Sequence, residues 1–331
     1  MGTFWTDKQV LVTGAGGFIG SHLVERLVEE GARVRAFVRY NSRGDPGMLR
    51  LAAPEAFARL EVVGADLRDQ AAVLDATRGC QFVFHLGALV SIPYSYLHPA
   101  EVAETNLIGT LNVLMACRTS AVERLIHTSS SEVYGTAQQT PISENHPLRA
   151  QSPYSATKIG ADKLVESFSC SYEMPVVTVR PFNTYGPRQS SRAVIPTIVT
   201  QALVSETIHL GNLTATRDFT YVDDTASGFL CAATAKAVEG HTFNLGTGEE
   251  ISIGDLAEKI ILKVGSHAKV TIDPIRLRPQ ESEVMRLVSD NTQARHWLSW
   301  TPRVGLEEGL DRTIMWIKEN LDRYQVGVYE F

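Results

Sequence analysis

The sequence predicts a doubly wound α/β fold: a parallel β-sheet covered by helices on both faces, with a smaller lobe toward the C-terminus. Three observations carry this. Short β-branched runs alternate with amphipathic helical patterns at the length of strand–helix–strand units. A glycine-rich turn follows the first apolar strand at once. After Arg180 the rhythm breaks into Pro- and Gly-punctuated sequence that belongs to a different scaffold.

In chain order, strands are expected at Gln9–Thr13, Arg33–Val38, Leu60–Gly64, Phe82–Leu86, Arg124–Ser129 and Val176–Arg180. Between them, apolar residues recur at helical spacing over Phe18–Glu30, Asp69–Thr77, Pro99–Ser120 and Pro153–Tyr172. Beyond the sixth strand, Ile253–Val264 and Leu306–Asn320 read as helices of the second lobe. The expected division is residues 1–180 for the sheet domain, with 219–248 returning to it, and 181–218 plus 249–331 for the second lobe. No repeat or long flexible tract separates them, so a cleft between the lobes is the expected ligand site.

With 331 residues, 44% hydrophobic and 21% charged, the chain can bury a large core without staples. A net charge of −6 leaves no electrostatic footprint for nucleic acid or an anionic membrane, while a small anionic ligand stays open. Cys80, Cys117, Cys170 and Cys231 are scattered without a CxxC pair or metal spacing, and are expected reduced and mostly buried. No stretch approaches the roughly 20 apolar residues of a membrane span. The N-terminus runs almost directly into a strand, so a cytoplasmic protein is expected.

Val10-Leu-Val-Thr13 leads straight into Gly14-Ala-Gly-Gly17-Phe18-Ile19-Gly20 and then a helix. Glycines at 14, 17 and 20 permit a tight turn, close approach of backbone to a pyrophosphate, and close helix–strand packing; the helix N-terminus adds free N–H groups. Together with Asp66-Leu67 after the third strand, this predicts a bound dinucleotide. NAD usually meets a carboxylate at the end of the second strand. Here that end reads Phe37-Val-Arg39-Tyr-Asn-Ser42-Arg43. An arginine suits a 2′-phosphate, so the reading is NAD(P) with a lean to NADP; alternatively Arg39 stacks on adenine or faces solvent.

Tyr154-Ser-Ala-Thr-Lys158 places a phenol and an ammonium at i and i+4, on one helix face. A nearby positive charge is expected to lower the tyrosine's pKa, so that it takes a proton from a sugar hydroxyl as hydride leaves the same carbon. One strand–helix step earlier, His127-Thr-Ser-Ser130-Ser131-Glu132 delivers Ser130 to hydrogen-bond that hydroxyl.

On these residues the chain resembles the extended short-chain dehydrogenase/reductases over essentially its whole length. The matching pieces, in the family's order, are GAGGFIG, ADL, HLGA, SSSEVYG, PYSATK, RPFNTYGPRQ and RDFTYVDD. The resemblance implies a Rossmann-type domain, a C-terminal nucleotide-sugar lobe, and a homodimer through the helices near 100–118 and 153–172. It implies catalytic Ser130, Tyr154 and Lys158, and dinucleotide contacts at Gly14, Gly17, Phe18, Ile19, Gly20, Arg39, Ser42, Asp66, Leu67, Leu86, Ala88, Tyr154 and Lys158.

The family holds epimerases, dehydratases, decarboxylases and reductases, so fold does not choose among them. Glu132 is the discriminating residue. The C4-epimerases usually carry a small residue or threonine there. A carboxylate beside a 4-keto sugar can instead remove the acidified C5 proton, and loss of the C6 hydroxyl as water leaves an enone that takes the hydride back at C6. Ser131 resembles the Thr-Ser-Glu of GDP-mannose 4,6-dehydratases rather than the Thr-Asp-Glu of dTDP-glucose dehydratases. Glu132 then serves as base and, once protonated, as acid, with no dedicated acid at Ser131. Elsewhere, a glutamate at a strand end is usually a solvated surface residue. A uronic-acid decarboxylase shares Ser-Glu-Val-Tyr-Gly and is the rival reading. Against it, PYSATKIGADKL is closer to the dehydratases, and RPFNTYGPRQSSRAVIPTIVTQ with the tyrosine-rich C-terminal end looks most like those acting on nucleotide-linked N-acetylglucosamine in legionaminic-type pathways. A non-catalytic nucleotide sensor is opposed by the intact Ser130, Tyr154, Lys158 and Glu132.

By the same resemblance, Arg217 and Arg278 are candidates for the diphosphate, and Asn183, Val194, Leu210 and Gly211 for the nucleotide pocket. Core packing is the alternative for Val194 and Leu210. Ser91 and Tyr94 are candidate sugar contacts or turn formers. His85, with no second ligand at metal spacing, reads as a structural histidine rather than a metal ligand. Asn106, inside a helical pattern, reads as a structural hydrogen bonder.

Overall fold

A computed structural model describes residues 3–328. Its centre is a seven-stranded parallel sheet. Six strands come from the first 181 residues: β1 (Gln9–Thr13), β2 (Arg33–Arg39), β3 (Glu61–Ala65), β4 (Phe82–His85), β5 (Arg124–Thr128) and β6 (Val176–Pro181). The spatial order runs from the edge strand Thr242–Leu245 through β6, β5, β4, β1 and β2 to β3. All six expected strands are present, with ends shifted by at most one residue. The pairing aligns Thr13 with both Phe37 and His85, so the C-terminal ends of the strands open along one edge of the sheet. Strand order reverses between β1 and β4, which is where an open α/β sheet forms its ligand crevice.

Alternation in β1 shows how the layers are built. Val10 and Val12 face a core shared with Leu23 and Leu27 of α1 (Phe18–Glu29) and with Phe229. Leu11 faces the opposite core, with Phe37, Val83, Val113 and Cys117. At the far edge, Thr242–Leu245 pairs in parallel with β6, and the helix Val222–Thr234 packs against α1. This late return of the chain completes the sheet.

The expected helix Pro99–Ser120 forms as Pro99–Thr119, interrupted by a π turn at Glu104–Ile108. Asn106 sits in that turn. Its amide oxygen accepts the Leu89 N–H at 2.8 Å, and its amide nitrogen donates to Leu89 O and Thr157 Oγ1, both at 3.0 Å. The extra residue of the turn lets one side chain tie the loop after β4 to the Pro153–Tyr172 helix. Asn106 is therefore structural, as expected.

In the second lobe, the helices Val194–Val204, Ile253–Val264 and Leu306–Glu319 enclose a core that includes Ile198, Leu256, Ile260 and Ile314. Short strands at 207–210 and 269–272 pair in parallel beside it. These strands lack the length or alternation to be legible in sequence. Cys80 and Cys117 are buried, Cys231 is half-buried and Cys170 is exposed. No helix among the described residues is long and apolar enough to cross a membrane.

Candidate active site

A groove of about 840 Å³ opens over the C-terminal ends of the strands, and most of the dinucleotide candidates, with Ser130, line it, while none of the substrate candidates does. Gly14, Gly17, Phe18, Ile19 and Gly20 form one wall, Arg39 and Ser42 one end, and Leu86, Ala88, Ser130 and Tyr154 the other side. Gly14 has φ +69, where a side chain is strained, and a Cβ there would lie 2.8 Å from Gly87 N. At Gly20 a Cβ would run into the Gly14 carbonyl. The glycines are thus demanded by the turn and by α1 packing onto it. Gly17 caps α1 without a side chain, so the helix N-terminus presents backbone N–H groups to the groove.

Ser130, two residues past β5, is extended and caps a short 3₁₀ turn, Ser131–Tyr134, its Oγ accepting the Glu132 N–H at 3.2 Å. Tyr154 lies in the first turn of Pro153–Tyr172, where Ser152 and Ser155 form a reciprocal cap. Tyr154 and Lys158 are both buried. The expected lowering of the phenol's pKa is not what the protein alone produces: burial pushes Tyr154 up to about 12, against the Ser130 hydroxyl and with help from the charges of Glu132 and Asp162. Lys158 Nζ donates to Thr128 O at 2.5 Å, and burial holds its pKa down to about 8. Dehydration of the site, rather than the Lys–Tyr attraction that the i, i+4 spacing suggested, therefore dominates the phenol's pKa.

Glu132 is half-buried, and among the described residues its carboxylate has no hydrogen-bond or ion-pair partner. Its charge acts on Tyr154 on one side and on the buried Arg217 on the other, where it opposes the loss of charge that burial favours. Ser131 is buried in the same turn.

Arg217 donates to Thr216 O at 2.9 Å and approaches Glu283 Oε1 at 3.7 Å; Arg278 approaches the same oxygen at 3.9 Å. The two arginines thus converge. Asn183 stands on the short strand Asn183–Tyr185, paired with Phe219–Tyr221 beside Arg217. Gly211 runs so close to the Arg276 carbonyl that a Cβ would lie 2.6 Å from it.

Other candidates are engaged elsewhere. Leu210 has its side chain in the second-lobe core, so it can offer a ligand only backbone, and Val194 packs against that core. Leu67 is buried in the sheet core. Asp66 is held by Arg68 at 2.7 Å, which lowers its pKa. Arg39 is 67% exposed and pairs with Glu101 at 3.2 Å, and Tyr94 Oη donates to Glu101 at 2.5 Å. Ser91 caps the helix Ile92–Leu97. His85 is satisfied at both nitrogens, by Thr13 Oγ1 at 2.7 Å and Thr110 Oγ1 at 3.0 Å, which bears out its structural reading. Groove residues that the sequence reading missed include Asn41, Pro46, Gly47, Phe182 and Thr184. The Asn-Ser-Arg-Gly-Asp-Pro-Gly turn after β2 was the available signal for the first three.

Comparison with known proteins places this geometry. The family described as GDP-mannose 4,6 dehydratase matches residues 11–313. The UDP-glucose 4-epimerase of Mycolicibacterium smegmatis is 35% identical over 312 residues, 92% of this chain and 97% of that protein. The dTDP-D-glucose 4,6-dehydratase of Homo sapiens is 29% identical over 327 residues, 96% and 92% of the two chains. Among solved structures, the dTDP-glucose 4,6-dehydratase of Streptomyces venezuelae with NAD and TYD bound superposes with TM-score 0.87 at 28% identity, over 96% of this chain and 99% of that one. The UDP-N-acetylglucosamine 4-epimerase of Methanobrevibacter ruminantium M1, in complex with UDP-N-acetylmuramic acid, does so with TM-score 0.86 at 29% identity, over 95% and 99%. The chain belongs to the GDP-mannose 4,6 dehydratase family, among the nucleotide-sugar enzymes of the extended short-chain dehydrogenase/reductases.

Proposed function

We propose that this protein is a nucleotide-sugar 4,6-dehydratase that recycles a tightly held nicotinamide dinucleotide. The observation that carries the reading is Glu132, a carboxylate left unpartnered between Tyr154 and Arg217 on the turn that Ser130 begins. An epimerase has no use for a base at that place.

The groove fits the cofactor: Gly14 and Gly20 hold open a cradle that a Cβ would fill, at a helix N-terminus. A nicotinamide held there would supply a hydride acceptor for C4 of the sugar and a hydride donor for C6. Tyr154, as a phenolate stabilised by the charged Lys158, takes the proton of the C4 hydroxyl that Ser130 holds by a hydrogen bond, and becomes the neutral phenol. Glu132 then takes the C5 proton and delivers it to the C6 oxygen, which departs as water; as C6 is reduced, C5 takes up a proton from solvent, and Tyr154 returns the C4 hydroxyl proton to solvent. Arg217 and Arg278 hold the diphosphate by charge-assisted hydrogen bonds.

Arg39, Ser42 and Arg43 line the end of the groove, and the nearby Asp45 is tied to Arg50, which supports NADP over NAD. The exposed apolar side chains Ile108 and Met115 on the Pro99–Thr119 helix, with Tyr172 at the end of its neighbour, support a homodimer through these helices. Sedimentation of the purified protein tests it. A cytoplasmic location accords with reduced, unpaired cysteines.

The decisive assay incubates the protein with UDP-, GDP-, CDP- and dTDP-linked hexoses and N-acetylhexosamines and follows product mass. Loss of one water supports the dehydratase. An unchanged mass with inversion at C4 establishes the epimerase instead, and carbon dioxide release from a uronic acid establishes the decarboxylase.

A further inference from the structure

Tyr154, Lys158 and Asp162 follow one another at four-residue intervals along Pro153–Tyr172 and share a helix face. The first two belong to the chemistry; the third lies deeper. Asp162 is 7% exposed. Its Oδ2 accepts Ser129 Oγ at 2.8 Å and Arg180 Nη2 and Nε at 2.9 and 3.2 Å, and its Oδ1 lies 3.2 Å from His127 Nε2. These partners are the ends of β5 and β6, and all three are buried. Arg180 continues through Nη1 to Tyr134 Oη at 2.9 Å, and Tyr134 to Asn244 on the edge strand at 2.7 Å.

The network bears directly on the site. Ser129 stands between Thr128, whose carbonyl receives Lys158, and Ser130. One carboxylate therefore locks the strand segment that supplies both the lysine's acceptor and the serine. It is also the charge that opposes the burial-driven loss of the Lys158 proton. The other titratable groups around Lys158 and Tyr154 are His85 on β4, His127 on β5, Glu132 on the turn after β5 and Arg180 on β6. Burial lowers the pKa of both histidines, leaving them neutral near pH 7. Glu132 acts on Tyr154, and the Arg180 charge is paired with Asp162.

We propose that Asp162 is a positioning residue for the Tyr154–Lys158 pair: anchored by Ser129, His127 and Arg180, it fixes the Thr128–Ser130 strand end and keeps the buried Lys158 ammonium charged beside the phenol. This inference rests on the assignment of Tyr154 and Lys158 given above. Removing a negative charge favours the deprotonated form of every neighbouring group. Both limbs of the pH profile should therefore move toward acid together.

The test is a titration of isotope-labelled lysine ε-carbons in the purified holoenzyme by NMR, with Lys158 assigned by the loss of its signal in Lys158→Met. Asp162→Asn should move that titration to lower pH by about one unit, and Asp162→Glu should restore most of it. Because Asp162→Asn strands Arg180 in the interior, Asp162→Asn/Arg180→Gln provides a second variant without a buried unpaired charge, in which the shift should keep its direction. Turnover on a sugar nucleotide converted by the wild type should show both limbs displaced alike. An unmoved Lys158 titration in a folded variant overturns the inference, and a loss of turnover with unmoved limbs assigns Asp162 to structure alone. If instead Tyr154→Phe keeps near-normal turnover while Lys158 still shifts, the catalytic assignment fails and the electrostatic one stands.

Discussion

Glu132→Gln separates the two halves of the proposed reaction. The structure sets the size and sign of each effect. The carboxylate has no internal partner and is half-buried, so the amide should leave the fold within about 0.5 kcal/mol of wild type. Glu132 raises the pKa of Tyr154, so removing its charge makes the phenol easier to deprotonate and should not slow oxidation at C4. Arg217 loses one anionic neighbour but retains Glu283. What disappears is the base at C5, a loss of about 10²–10⁴-fold in elimination. Mixed with its substrate, the variant should therefore accumulate reduced cofactor, read by near-ultraviolet absorbance, without loss of water and without solvent deuterium at C5. Wild-type enzyme in heavy water should yield product deuterated at C5. If wild-type product carries no deuterium there, or if the variant eliminates water at a rate within tenfold of wild type, the role given to Glu132 is wrong.

Tyr154→Phe should reduce turnover by about 10²–10⁴-fold while leaving the dinucleotide content of the purified protein unchanged, and activity within tenfold of wild type would remove Tyr154 as the C4 base. Dinucleotide released by denaturation and identified by chromatography should be NADP; NAD alone would show that Arg39 and its neighbours do not read a 2′-phosphate. In the proposed mechanism Lys158 acts while charged, and burial holds its pKa down to about 8, so the alkaline limb of turnover should fall as pH rises through that value. The same depression has the opposite sign for stability. Between about 8 and the ordinary 10.5 the unfolded chain holds a lysine proton that the folded chain lacks, so unfolding should become harder across that window, and Lys158→Met should remove that increment in thermal unfolding.

Much of this protein is legible from local pattern. β1 and α1 could be placed because an apolar run bounded by Gly14, Gly17 and Gly20 has few conformational solutions, and one of them leaves a helix N-terminus facing an open groove. The four-residue spacing of Tyr154 and Lys158 put both on one helix face before any tertiary contact was known. Ser130 and Glu132 followed from their place at a strand end. These are short-range properties, set by backbone sterics and periodicity.

What the chain could not disclose on its own depends on contacts between residues far apart in sequence. The Tyr154 pKa rises because burial, a property of the assembled core, outweighs the hydrogen bond from Ser130. Asp66 and Arg39 looked free to meet a cofactor, yet one is held by Arg68 and the other by Glu101, which is 62 residues away. Leu210 turned inward because the second lobe needed it in its core. The edge strand Thr242–Leu245 and the Asp162–Arg180–Tyr134 network exist only once β5, β6 and the Pro153–Tyr172 helix are brought together. Sequence specifies which groups the site has to work with; their charge state and their partners are set by which of them folding removes from water and which it leaves beside one another.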